Sequence, residues 1–257
     1  MFGKPGGGVV FVNVLILIGA GFLGGIMNAL AGGATLLTFP AMLLTGLPPV
    51  VATASNALAV TPGHTMAVIA DRAMVPRNRS IFIGLILAAV GGLLGALLLL
   101  ATSERFFTLL VPALIAVATV LFAMGPRIQK ATAARTHVSG TRSAWLLPVS
   151  IYGGYFGAGL GVMLLALLTL TGKEPLRTLN ALKNLYATVA ALAGVVLFAV
   201  SGVIDWSSTL VMLVGALAGG YAGGKLVGVL PAATVRTAIV ALGAAMTVAY
   251  AWRFWFA

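Results

Sequence analysis

The sequence predicts an all-α polytopic membrane protein built as two inverted structural repeats, each a broken or re-entrant helical hairpin plus three transmembrane helices. Three observations carry that expectation. Of 257 residues, 61% are hydrophobic and only 7% charged, with a mean hydropathy of +1.13, which leaves too little polar surface for a water-soluble globule. The apolar residues fall in continuous Leu/Ala/Val/Gly runs, several long enough to cross a hydrocarbon core of roughly 30 Å at about 20 residues per helix, whereas a β-barrel would show short alternating segments. Polar and glycine positions also recur at a nearly fixed spacing between the two halves.

From Pro5 to Ala70 the only titratable residue is His64, over a run of 66 positions. Two spans would use about 45 of these, so further chain must fold into the membrane. The stretch Gly21 to Asn56, GFLGGIMNALAGGATLLTFPAMLLTGLPPVVATASN, is interrupted by Gly24-Gly25, Gly32-Gly33, Pro40 and Pro48-Pro49. An unpaired peptide group in hydrocarbon is costly, so helix broken at membrane depth usually lines a site. Asp71, Arg72, Arg77 and Arg79 around Pro76 mark a loop. Residues 80–101 form an uncharged span whose Gly91, Gly92 and Gly95 allow close backbone approach. Glu104 and Arg105 make a polar turn before the span 106–126. The stretch 127–142, RIQKATAARTHVSGTR, has four cations and no carboxylate, and reads as a basic cytoplasmic linker between an N-terminal repeat, 1–126, and a C-terminal repeat, 143–257. Residues 143–172 are uncharged and interrupted by Gly153-Gly154, Gly157, Gly159 and Gly161, and spans at 178–200, 206–224 and 237–252 follow. Trp252, Trp255 and Phe256 suit an interfacial belt. The N-terminal MFGKPGGG lacks a cleavage pattern and is not read as a signal peptide.

An offset of 128 pairs Asn56 with Asn184 and Gly91, Gly92 and Gly95 with Gly219, Gly220 and Gly223. Nearer the start of each half the offset is 126, pairing Gly33 with Gly159, Thr45-Gly46 with Thr171-Gly172 and Pro49 with Pro175. Charge then orients the halves. If the first run of each half is a plain span, nine cations lie on the cytoplasmic side against five outside. If it is a hairpin returning to its side of entry, the tally becomes eleven against three, with Lys183 inside the membrane. The second arrangement follows the positive-inside tendency better and inverts the halves, with hairpin tips at mid-depth; eight conventional spans in two parallel repeats are the alternative.

All four carboxylates, Asp71, Glu104, Glu174 and Asp205, fall in or beside predicted loops. That argues against a cationic substrate, a buried carboxylate proton relay and paired-carboxylate catalysis. There is no cysteine, and His64 and His137 lack the partners a metal needs, so neither metal nor cofactor is expected. The net charge of +11 sits mainly between apolar runs and reads as positive-inside loops at a lipid bilayer rather than nucleic-acid binding. Half-helix N-termini at Gly32, Gly33 and Gly159 would present free N–H groups and partial positive charge, which favour an anion. Thr35, Ser55, Asn56, Asn180 and Asn184 are further donors, although any hydroxyl can instead bond back to its own helix. Lys183 either binds the anion or snorkels toward the Arg177 end. His64 is either a proton carrier or a packing residue.

The stretch GGIMNALAGGATLLTFPAMLLTGLPPVVATASNALAVTPGH resembles the N-terminal signature of the TauE/SafE (sulfite exporter) family of permeases. YFGAGLGVMLLALLTLTG followed by NALKN resembles that family's repeated C-terminal signature, so the likeness covers both halves. It implies a bacterial inner-membrane transporter of small sulfur-containing anions such as sulfite or sulfoacetate. It places the functional residues in Gly32 to Thr35, Thr53 to Asn56, Gly157 to Gly161 and Asn180 to Asn184. The chain departs from the glycine-richest signature at Ala34 and Ala158, which leaves the anion open. Residues and resemblance together point to a small oxyanion bound between the halves. An anion channel and a non-transporting scaffold or assembly subunit are the rival classes; a membrane-embedded enzyme would need a nucleophile or metal cluster that the sequence does not offer.

Overall fold

The computed structural model describes residues 7–30, 33–133, 142–172, 174–226 and 232–256. Among them are ten α-helices and no strand: α1 (Gly7–Leu30), α2 (Thr35–Leu44), α3 (Pro49–Ala70), α4 (Arg79–Ala101), α5 (Glu104–Ala133), α6 (Arg142–Tyr155), α7 (Leu160–Thr171), α8 (Leu176–Val200), α9 (Trp206–Leu226) and α10 (Ala232–Ala251). Five of these contain apolar stretches long enough to cross a membrane: Val10–Asn28, Arg79–Ala101, Glu104–Thr132, Leu176–Val200 and Ala233–Phe256. α3 and α9 match that length, but hydroxyl, amide and imidazole groups in one and glycines in the other dilute their hydropathy. α2 and α7, with 10 and 12 residues, rise only about 15–18 Å and stop partway. The sequence-based span 106–126 extends as α5 to Ala133, so the first part of the basic linker is helical; Pro126 does not end the helix.

Glycine sets how the helices meet. A Cβ on Gly21 would strike the Met212 carbonyl and one on Gly25 the Ala216 carbonyl, while Gly215 and Gly219 face the carbonyls of Ile18 and Phe22. Position numbers rise together on both helices, so α1 and α9 run in the same direction with their backbones in contact. α4 and α6 do likewise, Gly91 lying on Leu147 and Ser150 and Gly95 on Ile151 and Tyr155. α8 runs alongside α4, with Gly84 against Tyr186 and Gly92 against Ala190. α10 runs opposite to α5: Gly243 meets Thr119, the Arg236 guanidinium lies over the Phe122 ring, and Trp255 donates to the Leu109 carbonyl at 2.9 Å. Gly24 packs on Thr38, so α1 and α2, consecutive along the chain, form a hairpin. The first hairpin thus leans on a helix of the second half, and α6 of the second hairpin on a helix of the first.

Between these contacts the interior is aromatic and aliphatic. Phe39 of α2 meets Phe156, beyond α6, edge to face with ring centroids 5.2 Å apart, and both are buried. That contact ties the two hairpins together, and such pairs add about 0.5–1.5 kcal/mol beyond their area burial. At the other face Tyr186, Leu164, Leu168 and Leu182 pack with Leu146 and Ala88 of α6 and α4.

Following the helix directions, the bundle has a basic end and a capped end. Arg72, Arg77, Arg79, Arg127, Lys130, Arg177, Lys225 and Arg236 sit at or near helix ends that gather on one side. There the Arg177–Asp71 pair, at 3.4 Å and with Arg177 largely exposed, adds little. At the opposite end Glu104 accepts the Val50 N–H at 3.1 Å at the start of α3, and Asp205 caps α9 by accepting from Ser208 N–H and Ser207 hydroxyl. Burial pushes the Asp205 carboxyl up, but these Ser208 and Ser207 hydrogen bonds outweigh it and hold its pKa below the ordinary value.

Gly95→Ala and Gly219→Ala overpack backbone contacts and should each lower stability by about 1–3 kcal/mol. Gly220→Ala, which meets open space, should leave the melting temperature unchanged or raise it, as read by thermal denaturation in detergent. Because the native Asp205 pKa is depressed, its contribution is complete above the unfolded value of about 3.9 and lost as pH falls through the native one. Asp205→Ala should therefore cost about 0.5–2 kcal/mol at neutral pH, with the difference from the parent vanishing in acid melts.

Candidate functional site

The two half-helices begin at glycines that no other residue would replace without strain. Gly33 has φ 88°, and Gly157 and Gly159 have φ 78° and 82°, all in the left-handed region. At the first tip, Leu36 donates to the Gly33 carbonyl at 3.0 Å and Thr38 to the Ala34 carbonyl at 2.9 Å, which starts α2 with Thr35 at its first position. A Cβ on Gly33 would run into the Phe122 ring, so the tip rests flat against α5. The second tip is closed on itself. Phe156 and Gly157 both donate to the Tyr152 carbonyl, Leu160 donates to Gly157, and the Tyr152 hydroxyl donates to the Ala158 carbonyl at 2.6 Å.

Between the tips and the facing sides of α3 and α8 lies a crevice with a volume of about 50 Å³. At about 10–15 Å³ per water it holds roughly three to five waters, or one small ion. Thr35 enters from α2; Thr53, Asn56, Thr61 and His64 from α3; Gly153, Gly154, Phe156, Gly157 and Leu160 from the second hairpin; and Ala187, Ala191, Gly194 and Phe198 from α8. Asn56 is 2% exposed, and its Oδ1 is buried without a hydrogen-bond partner. Leaving a buried polar group unpaired costs about 1–3 kcal/mol, which native folds tolerate mainly where a ligand or water takes the place of the partner. The Thr35 hydroxyl makes no hydrogen bond to another described residue. Thr53 and Thr61 instead donate back to the Pro49 carbonyl at 2.9 Å and the Ala57 carbonyl at 2.6 Å, leaving only lone pairs for the crevice. Among the described residues no carboxylate, lysine or arginine lines it.

Of the residues the sequence singled out, Thr35, Asn56 and His64 come together here. Gly33 supports them from behind, and Gly32 lies outside the described residues. Ser55 does not reach the crevice: one position from Asn56 on the helix, it points elsewhere, and its oxygen accepts the Asp205 N–H at 2.9 Å. Gly159 faces α5, where a Cβ added to it would lie 3.6 Å from Ala118 and Leu121. Asn180 donates to the Leu176 carbonyl at 3.1 Å and accepts from Lys183 at 3.5 Å, and neither lines the crevice. Lys183 lays its stem over Gly161, in the first turn of α7. Asn184, paired with Asn56 by the repeat, is also outside it. The reason is topological: Asn56 lies near the start of α3 and Asn184 near the start of α8, and with α3 descending from the capped end while α8 rises from the basic end, matched positions sit at different depths. Phe156, Phe198, Ala187, Ala191 and Gly194 are lining residues that sequence reasoning missed. Gly153-Gly154 had marked the break nearby, but small and aromatic residues in an apolar helix give no signal separating packing from lining.

Comparison with known proteins gives a consistent picture. The family model described as Sulfite exporter TauE/SafE matches residues 6–250. A Haemophilus influenzae protein described as "Probable membrane transporter protein" is 30% identical over 236 residues, covering 90% of this chain and 92% of its own. Escherichia coli "Probable membrane transporter protein YfcA" is 29% identical over 90% of this chain and 87% of its own, and "Probable membrane transporter protein ORF9" of Sinorhizobium sp is 27% identical over 93% of each. No solved structure matches the chain significantly. With both halves, both hairpins and the whole crevice inside the matched range, the chain belongs to the sulfite exporter TauE/SafE family and is a multi-pass membrane transporter.

Proposed function

We propose that the protein is a secondary transporter of exporter type in the bacterial inner membrane, carrying small sulfur-containing anions such as sulfite or sulfoacetate by alternating access. The observation that carries this reading is a pair of neutral donors, the Asn56 Nδ2 and the Thr35 hydroxyl, neither bonded to another described residue, in a crevice between half-helix tips that no carboxylate lines. Donors without a counter-charge favour an anion, and the α2 N-terminus adds its dipole. The helix directions support inverted repeats, 1–126 and 143–257 around the linker 127–142. α1 runs with α9 and α6 with α4, so each element of the first half is opposed by its counterpart in the second. The basic end is then cytoplasmic.

The cross-packed glycines define which parts move together. α1 and α2 travel with α9, and α6 travels with α4, so the crevice opens by tilting units that combine both halves. Export of an anion is assisted by the inside-negative potential, worth about 2.3 kcal/mol per charge per 100 mV, so proton coupling is not demanded. If a proton moves, His64 is the crevice group that carries it. Lys183, Asn180 and Asn184 lie outside the crevice toward the basic end, where Lys183 attracts anions to its mouth.

Purified protein challenged with sulfite, sulfoacetate, sulfate, taurine and acetate should show a rise in melting temperature with a sulfur oxyanion. Asn56→Leu should weaken that binding by about 10- to 150-fold, the range for a hydrogen bond to a charged group, and Thr35→Val by less. Lys183→Ala should slow uptake into proteoliposomes at low salt while leaving equilibrium binding nearly intact. Saturation and counterflow are expected; flux that never saturates would point to a channel.

A further inference from the structure

We propose that the crevice selects organic monoanions with one oxyanion head and a short apolar tail, of the alkanesulfonate class, over compact inorganic oxyanions and over anions charged at both ends. The inference rests on the anion-transport reading and, within the sulfur-containing anions, ranks short alkanesulfonates above the sulfite and sulfoacetate named there. It comes from a difference between the two walls that the near-symmetry of the chain does not suggest.

Every side-chain donor that faces the crevice unspent belongs to the first half: the Asn56 Nδ2, the Thr35 hydroxyl and the His64 imidazole. The second half contributes Phe156, Leu160, Ala187, Ala191 and Phe198, whose side chains cannot donate. Its backbone does not compensate, because the N–H groups of Phe156, Gly157 and Leu160 are taken by the Tyr152 and Gly157 carbonyls. An oxyanion therefore has one end at which it is met by donors. A second charged group placed at the apolar wall would lose its water and gain nothing, which is how sites discriminate strongly against the wrong polarity. A methyl or methylene there gains about fourfold in affinity per buried carbon. The volume of about 50 Å³ limits the tail to one or two carbons without rearrangement.

The test measures affinities of the full-length protein in detergent for methane-, ethane-, propane- and butanesulfonate beside sulfite, sulfate and sulfoacetate. Affinity should rise about fourfold from methane- to ethanesulfonate and fall by butanesulfonate. Sulfate and sulfoacetate should bind at least about tenfold more weakly than ethanesulfonate. Ala191→Ser, which puts a hydroxyl on the apolar wall, should reduce that preference, and Asn56→Leu should weaken binding of the whole series by about 10- to 150-fold. If Asn56→Leu weakens binding as expected yet sulfite or sulfoacetate equals or exceeds ethanesulfonate in the parent, or Ala191→Ser leaves the ranking as it was, the tail proposal is overturned while the anion site stands. If no anion binds, or Asn56→Leu binds as the parent does, the anion-site reading itself is overturned.

Discussion

A helix that stops inside an apolar bundle leaves backbone donors and acceptors that lipid cannot satisfy, and the arrangement around α2 and α7 answers that constraint. Left-handed glycines turn the chain sharply enough for carbonyls of the turn to accept the first N–H groups of the next helix. The tips are then held against neighbours rather than lipid: Gly33 on Phe122, Gly159 on Ala118, and Phe39 on Phe156 across the two hairpins. The two solutions differ in a way that matters. Tyr152 closes the second tip with its own hydroxyl, whereas the first presents Thr35 to the crevice. A pair of tips with the same local problem thus ends up with different chemistry.

Glycine also allows the long-range architecture. In lipid there is no hydrophobic gain from bringing helices together, so close backbone contact and the dispersion it permits must hold them. α1 against α9 and α4 against α6 are such contacts, and each joins a hairpin to a helix of the other half. The frame is therefore interlocked rather than two separable lobes. Its capped end carries partly buried hydrogen bonds from Val50 to Glu104, Asp205 to Ser55 and Tyr250 to Pro40, and its basic end an exposed ion pair between Arg177 and Asp71. Those bonds resist opening more than a solvent-screened pair does.

Much of this was readable in the residues. The long apolar runs, Gly33 and Gly159 as break points, and the placement of Asp71, Glu104, Glu174 and Asp205 at helix ends or in loops all follow from local rules: helix length, backbone freedom and the cost of a buried charge. Asn56 stands out in the sequence as an amide in an uncharged run, and in the structure it lines the crevice. Ser55, its neighbour, looked equally suitable and serves instead as an acceptor for the Asp205 N–H, a partner 150 positions away.

By itself the sequence determined that the chain lies in a membrane, where it breaks, and that its interior offers neutral donors rather than acids. These are properties of composition and of neighbours along the chain. Only the tertiary structure decided that Asn56 and Thr35 line one crevice while Asn184 and Lys183 do not, and that its other wall is built from Phe156, Ala187, Ala191 and Phe198. The reason is that opposed helices bring together positions at equal depth, not at equal number. An alanine in an apolar helix has the same chemistry whether it faces lipid, a neighbour or a ligand, and the packing alone distinguishes them.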